Sequence, residues 1–152
     1  MNLLENTLLI LLLIATSAFF AISEIALAAA RKIKLEQMLD EGEARAARVL
    51  ALQGQPGHFF TAVQIGLNTV AILAGVLGEG AYAPAFSQFF IRFAESENAD
   101  MLGSLTSFLL VTTAFILVAD LLPKRIAIVA PEVIALRIAG PMMLCLKLLP
   151  PL

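Results

Sequence analysis

Two carboxylates, Glu24 and Asp120, each close a long uncharged stretch of this chain, and both are candidates for chemistry. An ionisable side chain within or bordering an apolar span is costly to keep there, so it is either functional or paired. Hydroxyls and carboxamides share the same stretches. Thr16, Ser17 and Ser23 lie in the first, Thr61, Gln64, Asn68 and Thr69 in the second, and Thr112 and Thr113 in the third. Thr61, Gln64 and Asn68 fall within two helical turns and share a face. Such oxygens are hard donors, the set that suits magnesium and other hard cations. Each hydroxyl has a second reading as a hydrogen bond between packed helices.

The run Asp120-Leu-Leu-Pro-Lys-Arg125 adds a further signal. Proline offers no backbone N–H and disturbs the turn before it, which frees carbonyls near Asp120. A broken helix beside a carboxylate is a recurring cation site in transporters. The plainer reading is that Pro123 ends a span while Lys124 and Arg125 anchor it to lipid phosphates; the two are compatible. His58, at a helix start, reads as an interfacial residue rather than a metal ligand.

The elements that must position these groups follow from where charge is missing. There are 18 uncharged residues between Glu5 and Glu24, 20 between His58 and Glu79, and 19 between Asp100 and Asp120. A helix needs roughly 20 apolar residues to cross a hydrocarbon core of about 30 Å. The expected spans are therefore about 4–28, 58–79 and 102–122. The composition agrees: 152 residues, 60% hydrophobic, 14% charged, with a mean hydropathy of +0.91. Soluble domains carry about 25% charged residues, so a disordered chain, a nucleic-acid-binding domain and an ordinary cytosolic enzyme core are excluded. No nucleophile–base pair or catalytic metal motif is present, and an enzyme is not expected. The single cysteine, Cys145, excludes an intrachain disulfide and a cysteine-based zinc cluster. The first span has no basic residue before it and Arg31, Lys32 and Lys34 soon after, the opposite of a cleaved secretory signal.

Nine of the ten lysines and arginines fall between spans one and two or after span three; only Arg92 lies between spans two and three. By the positive-inside rule the N-terminus is expected outside and the C-terminus in the cytoplasm. Leu35, Met38, Leu39, Gly42, Ala46, Val49 and Leu50 recur at helical spacing, which predicts an amphipathic juxtamembrane helix over about 33–52. A second is expected over about 131–149, where Arg137, Pro141 and Lys147 argue against a fourth span. Between Gly80 and Asp100 the residues Tyr82, Phe86, Phe89, Phe90 and Phe93 predict a short helix at the outer interface. Gly66, Gly75 and Gly78, with Ala62 and Ala71, suit close helix approach. Three helices make a thin wall around an ion path, so a homodimer is expected.

Ser17-Ala-Phe-Phe-Ala-Ile-Ser-Glu24-Ile-Ala-Leu27 resembles the first-helix motif of the CorC/CNNM magnesium-transporter family, in its transmembrane (DUF21) domain. Gln64-Ile-Gly-Leu-Asn68 through Leu73-Ala-Gly75, and the segment Asp120 to Lys124, resemble the second- and third-helix motifs. The resemblance runs from about residue 5 to 145. It implies an all-α membrane domain of three spans with a cytosolic-side juxtamembrane belt, dimeric, forming one transmembrane domain over 1–152. It also implies a pair of CBS domains and a small C-terminal domain further along, which fits the abrupt ending Leu-Leu-Pro-Pro-Leu; any ATP regulation would reside there. Carried over residue by residue, it implies Ser17, Asn68 and Asp120 as Mg²⁺ ligands. Ser23, Glu24, Gln64 and Lys124 become further cation-site or pairing residues. Two positions depart from the pattern: Ala21 stands where a serine is common, and Ala119-Asp120 where Gly-Glu is common. The full wording looks closest to a bacterial subgroup linked with polyamine export.

Three functions are open on these residues. The first is export of a divalent cation, Mg²⁺, across a bacterial inner membrane, with Na⁺ entry as the coupling that the resemblance implies. The second is export of a polyamine such as putrescine or cadaverine, with Glu24 and Asp120 as the carboxylates for its ammonium groups. The third is a non-transporting membrane anchor or regulator, in which the polar residues serve packing. In each, the partners are the lipid bilayer, a second copy of the chain and the CBS domains.

Overall fold

The computed structural model describes residues 2–148, and these form helices with no strand among them. In chain order they are α1 (Leu3–Ala29), α2 (Lys32–Asp40), α3 (Arg45–Gln53), α4 (Pro56–Phe90) and α5 (Ser96–Phe115). A π-helical segment (Ile116–Leu121), α6 (Leu122–Val129) and α7 (Pro131–Leu148) follow. Three stretches are long and apolar enough to cross a membrane: Leu3–Ala29, Pro56–Phe90 and Ser96–Val129. The last of the residues expected in the 131–149 helix lies outside the described ones.

The first expected span matches α1 closely, and its start is locally specified. Asn2 Oδ1 accepts the Glu5 N–H at 2.9 Å while Glu5 Oε2 accepts the Asn2 N–H at 3.2 Å. This reciprocal cap satisfies donors that the first turn leaves without intrahelical partners. The other two spans are longer than their uncharged runs. At 35 residues, α4 extends roughly 50 Å, well beyond a hydrocarbon core of about 30 Å. The short outer helix expected after Gly80 is instead the continuation of α4, through Pro84 to Phe90. The third span starts at Ser96 rather than 102 and runs past Pro123 to Val129.

The expected helix over 33–52 is two helices. Gly42, placed on its apolar face by spacing, has φ of +100°, a conformation that L side chains rarely adopt. Glu43 N–H reaches the Met38 carbonyl at 2.9 Å and Gly42 N–H reaches that of Leu39 at 3.1 Å. This pair of bonds is the Schellman cap that terminates a helix on a glycine.

The chain forms two compact units, one of residues 1–17 and 68–120, the other of 18–67 and 121–152. In the first, Val70, Ala74, Phe115 and Ala119 make the buried core, with Leu13, Ile14 and Ala71 against it. Glycines allow α4 and α5 to meet backbone to backbone. A Cβ on Gly103 would lie 2.6 Å from the Ser87 nitrogen and 2.9 Å from the Ala83 carbonyl oxygen, and one on Gly78 would collide with Val111. Hydrogen bonds reinforce this seam, with Ser107 Oγ donating to the Gly78 carbonyl at 2.9 Å. Gly103→Ala is expected to destabilise the hairpin by about 1–3 kcal/mol, because backbone atoms cannot give way as a side chain can. Denaturant titration in detergent reads the loss; an unchanged midpoint would contradict the close approach.

The second unit is built on Leu35, Val49, Phe59, Val63, Leu136 and Met142. Here α2, α3 and α7 pack on one another and on the halves of α1 and α4 that belong to this unit. Two side chains hold the corner between α1 and α2. Gln53 Nε2 donates to the carbonyls of Leu27 at 3.1 Å and Ala30 at 2.9 Å, acceptors that the helix end leaves open. Glu132, only 4% exposed, accepts the Arg31 backbone N–H and Nε, both at 3.3 Å, with Lys34 Nζ 3.8 Å away.

Burial pushes the Glu132 carboxyl up, but backbone N–H groups, the Arg31 guanidinium and the Lys34 charge outweigh it and hold its pKa below the ordinary value. A carboxylate whose pKa is depressed in the folded state contributes stability that is complete above its unfolded value of about 4.3. That stability disappears as pH falls through the folded value. Glu132→Gln is expected to cost about 2 kcal/mol at neutral pH, the scale of hydrogen bonds to a charged group. The gap between variant and wild type should close on acidification, read as unfolding temperature against pH. A gap that persists at acid pH would refute the ionic origin.

Candidate cation site

Asp120 stands half-buried in the π-helical segment, one turn before Pro123. A π turn is wider than an α turn and is often found at functional sites. Pro123 cannot offer an N–H to the carbonyls of residues 118 and 119, which precede Asp120 in the same segment. The expected end of the helix at Pro123 is thus replaced by a change of helical register within a continuous helix.

Ser17, on α1, and Asn68, on α4, belong to the same unit as Asp120. Ser17 is fully buried, whereas Asn68 is exposed. Thr112 also falls in this unit; its Oγ1 is buried with no hydrogen-bond partner among the described residues. Asp120, Asn68, Ser17 and Thr112 thus contribute a carboxylate, a carboxamide and hydroxyls to unit one, all able to accept from an ammonium group or to ligate a hard cation.

Thr16, Thr69 and Thr113 also fall in unit one, whereas Ser23, Glu24, His58, Thr61, Gln64 and Lys124 lie in unit two. Glu24 Oε2 is 2.9 Å from Lys124 Nζ, with both side chains largely buried. Of the roles open to Glu24, the structure shows an ion pair, with Lys124 as its partner. The Ser23 hydroxyl donates to the Phe19 carbonyl at 2.7 Å, a back-bond within α1. Gln64 is exposed on α4, as is Thr61. His58 borders a cavity of about 320 Å³ together with Gln55 and Lys147.

One carboxylate escaped the sequence reading. Glu79 closes the second uncharged run as Glu24 and Asp120 close theirs, yet was read only as the boundary of a span. In the structure it lies inside α4, half-buried, and accepts a hydrogen bond from the Ser104 hydroxyl of α5. The rule that selected the other two applies to it equally.

Residues 8–152 match the family described as the cyclin M transmembrane N-terminal domain. The chain belongs to this family. The cyclin M domain is 55% identical over 149 residues to the polyamine export protein of Escherichia coli strain K12, covering 98% of the chain and 33% of that relative. It is 44% identical over 152 residues to the polyamine export protein of Haemophilus influenzae, covering 100% of the chain and 35% of the relative. A UPF0053 protein of Synechocystis is 37% identical over 146 residues, covering 94% of the chain and 32% of the relative. The chain therefore spans about a third of the length of these curated relatives.

The departures from the family pattern acquire physical content here. Ala21 is fully buried in the cyclin M domain, so this position supplies a packed methyl and no oxygen. With the Ser23 hydroxyl bonded to its own helix, Ser17 remains the buried hydroxyl of α1 in the same unit as Asp120.

Proposed function

We propose that this cyclin M domain moves organic polycations of the putrescine and cadaverine class out of the cytoplasm. The observation that carries the reading is Asp120, a half-buried carboxylate placed in a π turn within a helix long and apolar enough to cross a membrane. A primary ammonium has three donors and no acceptor, so it is matched by a carboxylate together with carbonyl, carboxamide and hydroxyl oxygens. Ser17 and Asn68 supply the last two kinds. The names of the relatives that cover nearly the whole chain support the same cargo class.

The orientation follows the basic residues: the α1–α2 corner, α3 and α7 on the cytoplasmic side of a bacterial inner membrane, Glu79 toward the outer face. Thr61, Gln64 and Asn68 are exposed at membrane depth in one copy of the chain. Polar groups facing lipid are costly, so a second copy covers them and the working unit is a homodimer. The greater length of the relatives supports CBS and C-terminal domains as covalent partners on the cytoplasmic side.

A second reading rests on the same oxygens. Ser17, Asn68 and Asp120 are hard donors within one unit, which favours Mg²⁺ as cargo, with Na⁺ entry as the driving exchange. Reconstituted vesicles loaded with labelled putrescine or Mg²⁺ separate the two when assayed side by side, with and without a Na⁺ gradient. Diamine efflux that Mg²⁺ does not replace supports the proposal. Mg²⁺ efflux alone overturns it in favour of the second reading, and flux of neither makes the domain an anchor.

A further inference from the structure

Glu79 is a half-buried carboxylate that closes the second uncharged run. It lies well inside α4, and its partner in the structure is a neutral hydroxyl, Ser104 of α5. None of α1, α4 and α5 carries a lysine or an arginine. A half-buried ionised carboxylate bordering an apolar span is costly unless a cation or a proton compensates it.

The surroundings suit a cation that comes and goes. Tyr82, three residues along the same face of α4, has its hydroxyl 3.1 Å from Thr7 Oγ1 of α1. Ser107, three residues beyond Ser104, donates to the Gly78 carbonyl at 2.9 Å. Three helices of this unit thus carry hydroxyls along the α4–α5 seam, with that of Ser104 in contact with the carboxylate, and Gly78 and Gly103 let α4 and α5 approach closely there. The Ser104 hydroxyl can donate to Glu79 when no cation is present and rotate to accept from an ammonium when one arrives.

This group is too remote to form one site with the residues around Asp120. Glu79 is eleven residues from Asn68 along α4, about 16 Å of helix, which is beyond the span of a short diamine. It belongs to a separate binding event.

We propose that Glu79 and Ser104 form a second cation site, taking primary ammonium groups, from which exported cargo is released at the outer face. This rests on the export reading and its orientation. The two fail in different ways. In vesicles of known protein orientation, putrescine added at the outer face should slow efflux by the wild type by occupying this site. Glu79→Gln should abolish that inhibition and lower maximal flux about tenfold, with less than about a twofold change in the half-saturating concentration on the inner side. Glu79→Asp should restore part of both. Ser104→Ala keeps the carboxylate and should keep the inhibition at a shifted concentration, which preserves the test if Glu79→Gln misfolds.

A Glu79→Gln protein with inhibition intact overturns the site. So does one whose flux falls while the inner half-saturating concentration rises in parallel, because a packing role would impair both sides alike. Absence of flux in the wild type overturns the export reading instead. The site then stands on equilibrium dialysis of labelled putrescine: binding lost in Glu79→Gln supports it, and equal binding in both proteins overturns it.

Discussion

Asp120→Asn is expected to reduce outward polyamine flux by about 10- to 100-fold, the equivalent of losing charge-assisted hydrogen bonds of about 1.5–3 kcal/mol. The amide is nearly the same shape, so packing in the π-helical segment is preserved and the change is one of charge. An ammonium leaving water for a membrane span needs a negative partner more than it needs any one hydroxyl, so Asp120 should outweigh Ser17 and Asn68. Asp120→Glu should retain measurable flux, since the carboxylate survives one methylene further out. Initial rates of labelled putrescine efflux from vesicles give the comparison, with the unfolding midpoint confirming that each variant is folded. Wild-type flux in Asp120→Asn would remove this residue from the site and leave the widened turn as a packing feature.

The second large effect concerns stability. Lys124→Met is expected to lower stability by about 2 kcal/mol, between the small value of an exposed ion pair and the 3–5 kcal/mol seen on breaking a buried one. The Glu24 side chain is 16% exposed and that of Lys124 26%, so the pair belongs between those limits. Most of the loss comes from a carboxylate left without its charge partner. Combining Lys124→Met with Glu24→Gln should therefore recover stability relative to Lys124→Met alone, giving a coupling energy of about 1 kcal/mol or more in a double-mutant cycle. Additive losses would show that the 2.9 Å contact does not hold α1 and α6 in register.

Elements with a local cause were legible in the sequence. The first span was, because the expected 4–28 differs from α1 by one residue at each end and a side-chain cap fixes its start. The ends of the other two were not. An uncharged run measures the hydrocarbon core, whereas a helix continues for as long as its backbone bonds do, and nothing in Gly80–Phe90 stops α4, Pro84 included. At Gly42 the opposite error arose. Periodicity counted it as one more small residue on an apolar face, but its positive φ makes it the end of α2.

The site was legible in part, for the same kind of reason. Asp120 and Pro123 announce themselves by type and spacing. Nothing in the sequence distinguishes Ser23, whose hydroxyl bonds within its own helix, from Ser17, whose buried side chain lies in the unit of Asp120. The sequence does not set Glu132 apart from the other acids; the structure makes it the buried partner of Arg31.

By itself the sequence determined the class of this protein, its three spans, and the few charges that cost most to bury. These are properties of short windows, where transfer free energies add residue by residue without reference to distant parts of the chain. Only the tertiary structure decided which groups meet. Glu79 and Ser104 are 25 residues apart, and Arg31 and Glu132 are 101 apart. Such pairings depend on how each helix is rotated and slid along its neighbour. Glycine contacts and helix caps set that register jointly, and no single window of sequence contains it.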